Sequence, residues 1–249
     1  MASLSREGPA KALVLAAGLG SRIRTIAGDL PKPLIPFGGR SILAHNLRWL
    51  QSSGVEEVWI NTHFGAAAIR EAIGDGSAFG LSVNYTFEPD LLGTAGALAN
   101  IASVADQTML VVYGDNIVRC DLGALARAHR AGAALATLCL FDQSRHAHTG
   151  IAGGRVVVDD QGLVTGFVEG GEAGLVNAGV YLVEPQLIDR IPPGRSFDFA
   201  RDVFPEMLAS GAPLRGHVLE PAGFCLGLDT PESFRAGEAL LATGRVTLS

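Results

Sequence analysis

Lys11-Ala-Leu-Val-Leu-Ala16 is an apolar run of strand length, and it opens directly into Ala17-Gly-Leu-Gly-Ser-Arg-Ile-Arg24. A buried strand emptying into a glycine loop is suited to holding phosphate, because glycines let backbone N–H groups approach an anion closely. The pattern then alternates. Ser41 is placed to cap a helix running to about Ser52, with Leu43, Leu47 and Leu50 on one face. Val55–Asn61 reads as a strand, Ala66–Ile73 as a short helix, Leu81–Phe87 as a strand and Thr94–Val104 as a helix. Thr108–Tyr113 (TMLVVY) is a continuous apolar run of the kind that a parallel sheet buries on both faces. It stops at Gly114-Asp115-Asn116, and helix Leu122–Ala131 and strand Ala134–Phe141 follow. This alternation predicts an α/β chain: a Rossmann-like mixed, mostly parallel sheet flanked by helices.

The second half is less regular. Short strands are expected at Arg155–Asp159, Val164–Glu169 and Val176–Val183, and helices near Pro185–Arg190 and Ala200–Ser210. Strands Leu214–Leu219 and Phe224–Leu228 precede a last helix, Glu232–Thr243. No internal repeat, low-complexity tract or linker divides the chain. One domain over residues 1–249 is expected, with a nucleotide-type half to about residue 140 and a second half over about 141–249. Ligands of open α/β sheets sit beyond the carboxyl ends of the strands, so the site is sought there.

The 249 residues are 48% hydrophobic and 18% charged, a balance that suits a folded core and argues against disorder. No apolar run approaches the roughly 20 residues that span a bilayer, so a cytoplasmic chain without membrane contact is expected. The net charge of −6 disfavours nucleic acid as a partner. Cys120, Cys139 and Cys225 lack metal-ligand spacing and read as buried thiols. The cations are lopsided: of 19 Lys and Arg, only Lys11 and Lys32 are lysines. Lys32 sits between Pro31 and Pro33, a setting that would hold a compact ammonium in place.

A dinucleotide fingerprint would need a third glycine where Ile23 stands and an acid where Asn61 stands, and no GK[ST] follows to make a Walker loop. What remains is a glycine loop with its own arginine, Arg22, and then Pro-Lys-Pro. That pairing suits a triphosphate: backbone groups of Ala16, Ala17, Gly18, Gly20 and Ser21 with Arg22 toward its outer phosphates, and Lys32 toward charge developing at the α-phosphorus.

The stretch LAAGLGSRIRTIAGDLPKPLIPFGGRSIL (Leu15–Leu43) resembles the signature of the sugar-1-phosphate nucleotidyltransferases, GxGxRxx…PKPL. The likeness continues through Leu92-Gly-Thr-Ala-Gly-Ala-Leu98, Gly114-Asp115, Val168-Glu169, Asn177-Ala-Gly179 and Leu228-Asp229-Thr-Pro231. It is strongest to the guanylyltransferases acting on mannose- and heptose-type 1-phosphates, and Phe197–Pro205 (FDFARDVFP) is similar to a stretch of the heptose type. The resemblance implies the nucleotidyltransferase fold and the reaction NTP + sugar 1-phosphate → NDP-sugar + pyrophosphate with Mg²⁺. It implies Asp115 and Asp229 as metal carboxylates, Glu88, Gly93 and Thr94 at the base, and Asn116, Gly150, Glu169, Asn177 and Gly179 around the sugar phosphate. The alternative for Asp229 is a helix cap, and for Asn177 the satisfying of a bulge. Where many relatives carry Glu-Lys-Pro, this chain has Glu169-Gly170-Gly171, so a lysine for the acceptor phosphate is missing. His146-Ala-His148 reads as a polar loop rather than a metal site.

GTP is the favoured donor, because the two adjacent donors of guanine suit a carboxylate at Glu88. The same chemistry with UTP, dTTP, CTP or ATP stays open. So does a non-catalytic nucleotide-binding regulatory subunit, against which Arg22, Lys32 and Asp115 all argue by being present. A nicotinamide-dependent oxidoreductase is disfavoured by the missing third glycine and ribose acid. The length leaves no room within these residues for a hexapeptide-repeat acyltransferase. The expected partners are the NTP and the sugar 1-phosphate, with a homodimer open.

Overall fold

A computed structural model describes residues 8–150, 153–168, 170 and 174–248. Its strands are β1 (Lys11–Leu15), β2 (Pro36–Phe37), β3 (Arg40–Ser41), β4 (Glu57–Thr62), β5 (Ser82–Phe87), β6 (Met109–Tyr113) and β7 (Asn116–Arg119). They continue as β8 (Ala136–Phe141), β9 (Ala147–His148), β10 (Arg155–Val158), β11 (Val164–Val168), β12 (Leu175–Val183), β13 (Leu214–Val218) and β14 (Phe224–Gly227). The helices are α1 (Arg24–Ala27), α2 (Ile42–Ser52), α3 (Ala66–Ile73), α4 (Gly93–Ala99), α5 (Leu122–Ala131), α6 (Pro185–Ile188), α7 (Phe204–Ser210) and α8 (Pro231–Ala242).

Among the described residues, a nine-stranded sheet follows the path β11-β10-β12-β6-β1-β4-β5, with β8 on β12 and β13 on β8. Strands β1, β4, β5, β6, β8, β10 and β13 run in one direction and β12 and β11 oppose them. The sheet is therefore mixed and mostly parallel, as the alternation predicted. β1 lies between β4 and β6, so the glycine loop leaves from the middle of the sheet.

The continuous apolar runs are explained by burial on both faces. Ala12, Val14, Leu110 and Val112 enter one core layer with α2, α3 and α5; Leu13, Met109 and Val111 enter the other with α4, α6 and α7. A third cluster, including Ile23, Phe37, Ile117, Leu226, Leu228 and Phe234, lies beneath the β2–β3 hairpin and the small sheet β7-β14-β9. No helix of the described residues is long and apolar enough to cross a membrane. The three cysteines are free and buried, as expected.

Four local readings change. β7 follows β6 after a two-residue turn and is made by antiparallel pairing with β14; residues 116–119 carry no such signal of their own. The expected helix 94–104 ends as an α-helix at Ala99, with a 3-10 turn at Ala102–Val104. The expected helix 200–210 begins as a π turn, Phe199–Val203. Pro205 has no N–H to return to Arg201, which removes an α-type bond at that junction. Residues 147–148 are strand rather than loop, pairing with β14, and His146 is buried with Nε2 3.0 Å from the Leu219 carbonyl.

Candidate active site

The loops leaving β1, β5 and β6 open at one end of the sheet because these strands run parallel, with β6 beside β1 and β5 one strand further out, across β4. Asn61 ties two of them together from the end of β4. Its Oδ1 accepts from the Ala16 N–H at 2.8 Å and its Nδ2 donates to Glu88 Oε1 at 2.8 Å. Glu88 Oε2 accepts from the Leu92 N–H at 3.0 Å, which sets the approach to α4. Glu88 is only 1% exposed. It is not a solvent-facing strand end: each carboxylate oxygen already takes one internal bond. A carboxylate has about four lone-pair directions, so acceptor capacity remains. Gly93 starts α4 with φ +72°, and a Cβ there would lie 2.5 Å from the Phe197 carbonyl oxygen.

Lys32 opens a 3-10 turn directly after Pro31 and is 5% exposed. Gly20, with φ +59°, packs over it; a Cβ on Gly20 would lie 3.0 Å from the lysine Cβ. The ammonium donates to Asp115 Oδ2 at 2.8 Å and, at close range, to Asp229 Oδ1. Burial alone would push the lysine pKa down, but the two carboxylate charges and their hydrogen bonds outweigh it and hold it above the ordinary value. The group is therefore charged at any working pH. Arg22 Nη2 stands 3.5 Å from Asp229 Oδ1. Asp229 is not the helix cap: Thr230 caps α8, its hydroxyl accepting from the Ser233 N–H at 3.2 Å.

Asp115 and Asp229 thus aim at one point, and no cluster of three His, Cys, Asp or Glu occurs among the described residues. That donor set fits Mg²⁺, which takes one or two carboxylates and completes its shell with water and phosphate oxygens. It does not fit a structural zinc.

Three cavities meet at Asp115. One of about 320 Å³ is lined by Ala16, Gly18, Gly20, Ser21, Arg22, Lys32 and Asp229. A second, of about 240 Å³, holds Ala17, Asn61, Glu88, Gly93, Thr94 and Tyr113. A third, of about 270 Å³, holds Asn116, Asn177, Gly179, Asp198, Arg201, Arg22 and Asp229. Polar and aromatic groups back its wall. Asn177 Nδ2 donates to the Tyr181 hydroxyl at 2.7 Å, and the Tyr113 ring lies edge-on to Tyr181 with centroids 5.8 Å apart. Thr94 Oγ1 donates to Asp198 Oδ2 at 2.7 Å. Burial pushes Tyr113 up to about 12, so its hydroxyl is neutral near pH 7. Asn177 also satisfies a bulge in β12, its Oδ1 accepting from the Gly179 N–H at 3.0 Å.

The site residues read from the sequence are therefore brought together, with two exceptions. Gly150 does not line these cavities; its N–H donates to His148 Nδ1 at 2.9 Å, and Gly153 and Gly154 line the third cavity instead. Glu169 lies outside the described residues. Sequence reasoning missed Asn61, Tyr113, Asp198 and Arg201 as lining groups. Asn61 and Tyr113 carried a weak signal as polar ends of buried strands. Asp198 and Arg201 lie in the stretch FDFARDVFP, whose one sequence signal is its likeness to the heptose type.

A family model described as nucleotidyl transferase matches residues 11–222. The chain is 37% identical, over 94% of its length, to the mannose-1-phosphate guanylyltransferase of Mycobacterium tuberculosis. It is 33% identical, over 82% of its length, to the UTP–glucose-1-phosphate uridylyltransferase of Synechocystis. It spans 65% and 56% of the lengths of these two relatives. The crystal structure of HddC from Yersinia pseudotuberculosis superposes with a TM-score of 0.75, covering 93% of this chain and all of that one at 22% identity, a likeness of fold.

Proposed function

The chain belongs to the nucleotidyl transferase family, and on that premise we propose that it joins an NTP to a sugar 1-phosphate, giving NDP-sugar and pyrophosphate. One continuous domain carries both substrates, a reading supported by a sheet that draws strands from both halves. The observation that carries the proposal is the convergence of Arg22, Lys32, Asp115 and Asp229 where three cavities meet.

An oxygen of the acceptor phosphate attacks the α-phosphorus; the bond from that phosphorus to the bridging oxygen breaks, and pyrophosphate leaves with its electron pair. The acceptor is already an oxyanion near pH 7, so no general base is required. The glycine loop and Arg22 bind the outer phosphates, and Lys32 stabilises charge that grows in the transition state. Asp115 and Asp229 would hold Mg²⁺, which when bound neutralises phosphate charge. Asn116, Asn177 and Gly179 orient the acceptor.

The base is the finer question. The two relatives above are named for different nucleotides, so similarity alone does not choose. Glu88 supports guanine: it lines the second cavity, its carboxylate can only accept, and guanine presents N1–H and an exocyclic amine side by side. The test is a matrix of five NTPs against a panel of sugar 1-phosphates, read by pyrophosphate release. GTP with a mannose- or heptose-type acceptor is expected to lead. No release from any pair would overturn the reading.

A further inference from the structure

Four polar groups run in a line from the glycine loop to the approach to α4. The Ala16 N–H donates to Asn61 Oδ1 at 2.8 Å, Asn61 Nδ2 donates to Glu88 Oε1 at 2.8 Å, and the Leu92 N–H donates to Glu88 Oε2 at 3.0 Å. Asn61 and Glu88 are both buried, so water does not repair a mispaired group here. Ala16 lines the first cavity; Asn61 and Glu88 line the second.

Both ends of this relay are backbone N–H groups, and a backbone N–H only donates. That fixes the amide of Asn61: its oxygen turns to Ala16, and its nitrogen therefore turns to residue 88. Residue 88 then meets two donors, each on a different oxygen, so a carboxylate satisfies both. A glutamine there would set its own NH2 against one of them. Acids at both positions would set lone pairs against lone pairs. One exchange of this shape keeps every bond: an acid at 61, accepting from Ala16 and from residue 88, with an amide at 88 whose oxygen accepts from Leu92. The pair is not needed to join its strands, because β4 and β5 are already paired along their full lengths.

We propose that Asn61 determines which base the site accepts, acting as a positioning residue through Glu88. With an amide at 61, residue 88 must be an acid, and its remaining groups are lone pairs alone. These suit the two adjacent donors of guanine. With an acid at 61, residue 88 must be an amide, which keeps one N–H beside one lone pair. That suits a base edge with an acceptor beside a donor, as in uracil. The inference rests on the proposed reaction, and it places the choice of base one residue behind the group that reads it.

The test compares wild type, Asn61→Asp, Glu88→Gln and the doubly exchanged protein in melting and in kinetics with GTP and UTP against α-D-mannose 1-phosphate. Each single substitution should lower the melting midpoint by roughly 2–12 °C, because it leaves groups of the relay mispaired. The double exchange should recover most of that loss. It should also lower the GTP-to-UTP ratio of kcat/KM by roughly 5–150-fold relative to wild type. Calorimetric titration of GTP and of UTP without acceptor reads the same ratio without turnover. A ratio that shifts in titration, in a protein that releases no pyrophosphate, would overturn the reaction and keep Asn61. Recovered stability with an unchanged ratio would make the pair a strut between loops and overturn Asn61 as the determinant. So would a double exchange that recovers no stability, or a wild type that does not favour GTP over UTP in either measurement.

Discussion

Replacing Lys32 by Met separates what the lysine does for the reaction from what it does for the fold. The ammonium is almost fully buried and bonded to two carboxylates that are 35% and 27% exposed at the side chain. Removing one partner of a fully buried pair costs about 3–5 kcal/mol. Here solvent reaches both carboxylates, so the cost is discounted to roughly 1–3 kcal/mol, or about 2–12 °C in the melting midpoint of a chain this size. Turnover should fall further than stability. A donor that stabilises developing charge is worth about 10²–10³ in rate, so kcat should drop by that factor while KM changes little. A third effect follows from the geometry. In the resting protein Lys32 occupies the point at which Asp115 and Asp229 aim, so a divalent cation must displace it. The variant has no ammonium to displace, and Mg²⁺ without nucleotide should raise its melting midpoint more than it raises that of wild type. Differential scanning fluorimetry across a Mg²⁺ series, beside kinetics at saturating NTP, measures all three. Turnover within about threefold of wild type, or an equal Mg²⁺ response in the two proteins, would refute the reasoning.

Activity should vanish with chelator and return with Mg²⁺. Asp115→Asn should raise the Mg²⁺ requirement more than Asp229→Asn, because Asp115 lines all three cavities and Asp229 two; matched metal titrations would contradict this. Glu88→Gln should narrow the preference for GTP over UTP by roughly 5–150-fold in kcat/KM, the cost of about 1–3 kcal/mol for a mispaired group in a dry site; an unchanged ratio would remove Glu88 as the reader. Leu13→Ala, at a fully buried position of the central strand, should cost about 2–5 kcal/mol and lower the melting midpoint by roughly 4–20 °C, read by calorimetry.

Much of the chain was legible because its signals are local. The run Lys11–Ala16 is apolar throughout because both faces of β1 are covered, and that alone argues for a sheet sandwiched by helices. Ser41 caps α2 as its side chain predicts, and α3 and α5 fall at the expected bounds because Gly65, Gly74, Asp121 and Gly132 punctuate them. The glycine loop and Pro-Lys-Pro were readable for the same reason: conformational freedom and its restriction are properties of the residue itself.

What the tertiary structure decided were pairings between residues far apart in sequence. β7 exists because β14 returns to pair with it, and four residues of strand carry too little pattern to announce a partner about a hundred positions away. Whether Asp229 caps a helix or faces Lys32 turned on Thr230 taking the capping role, since either aspartate placement satisfies the local pattern. The burial of Glu88 depended on Asn61 and Leu92 approaching it from other elements. Arg201 comes to the third cavity on the π turn rooted by Phe199. Residue type and spacing set propensities along the chain; which charges meet is set by how the strands order in the sheet.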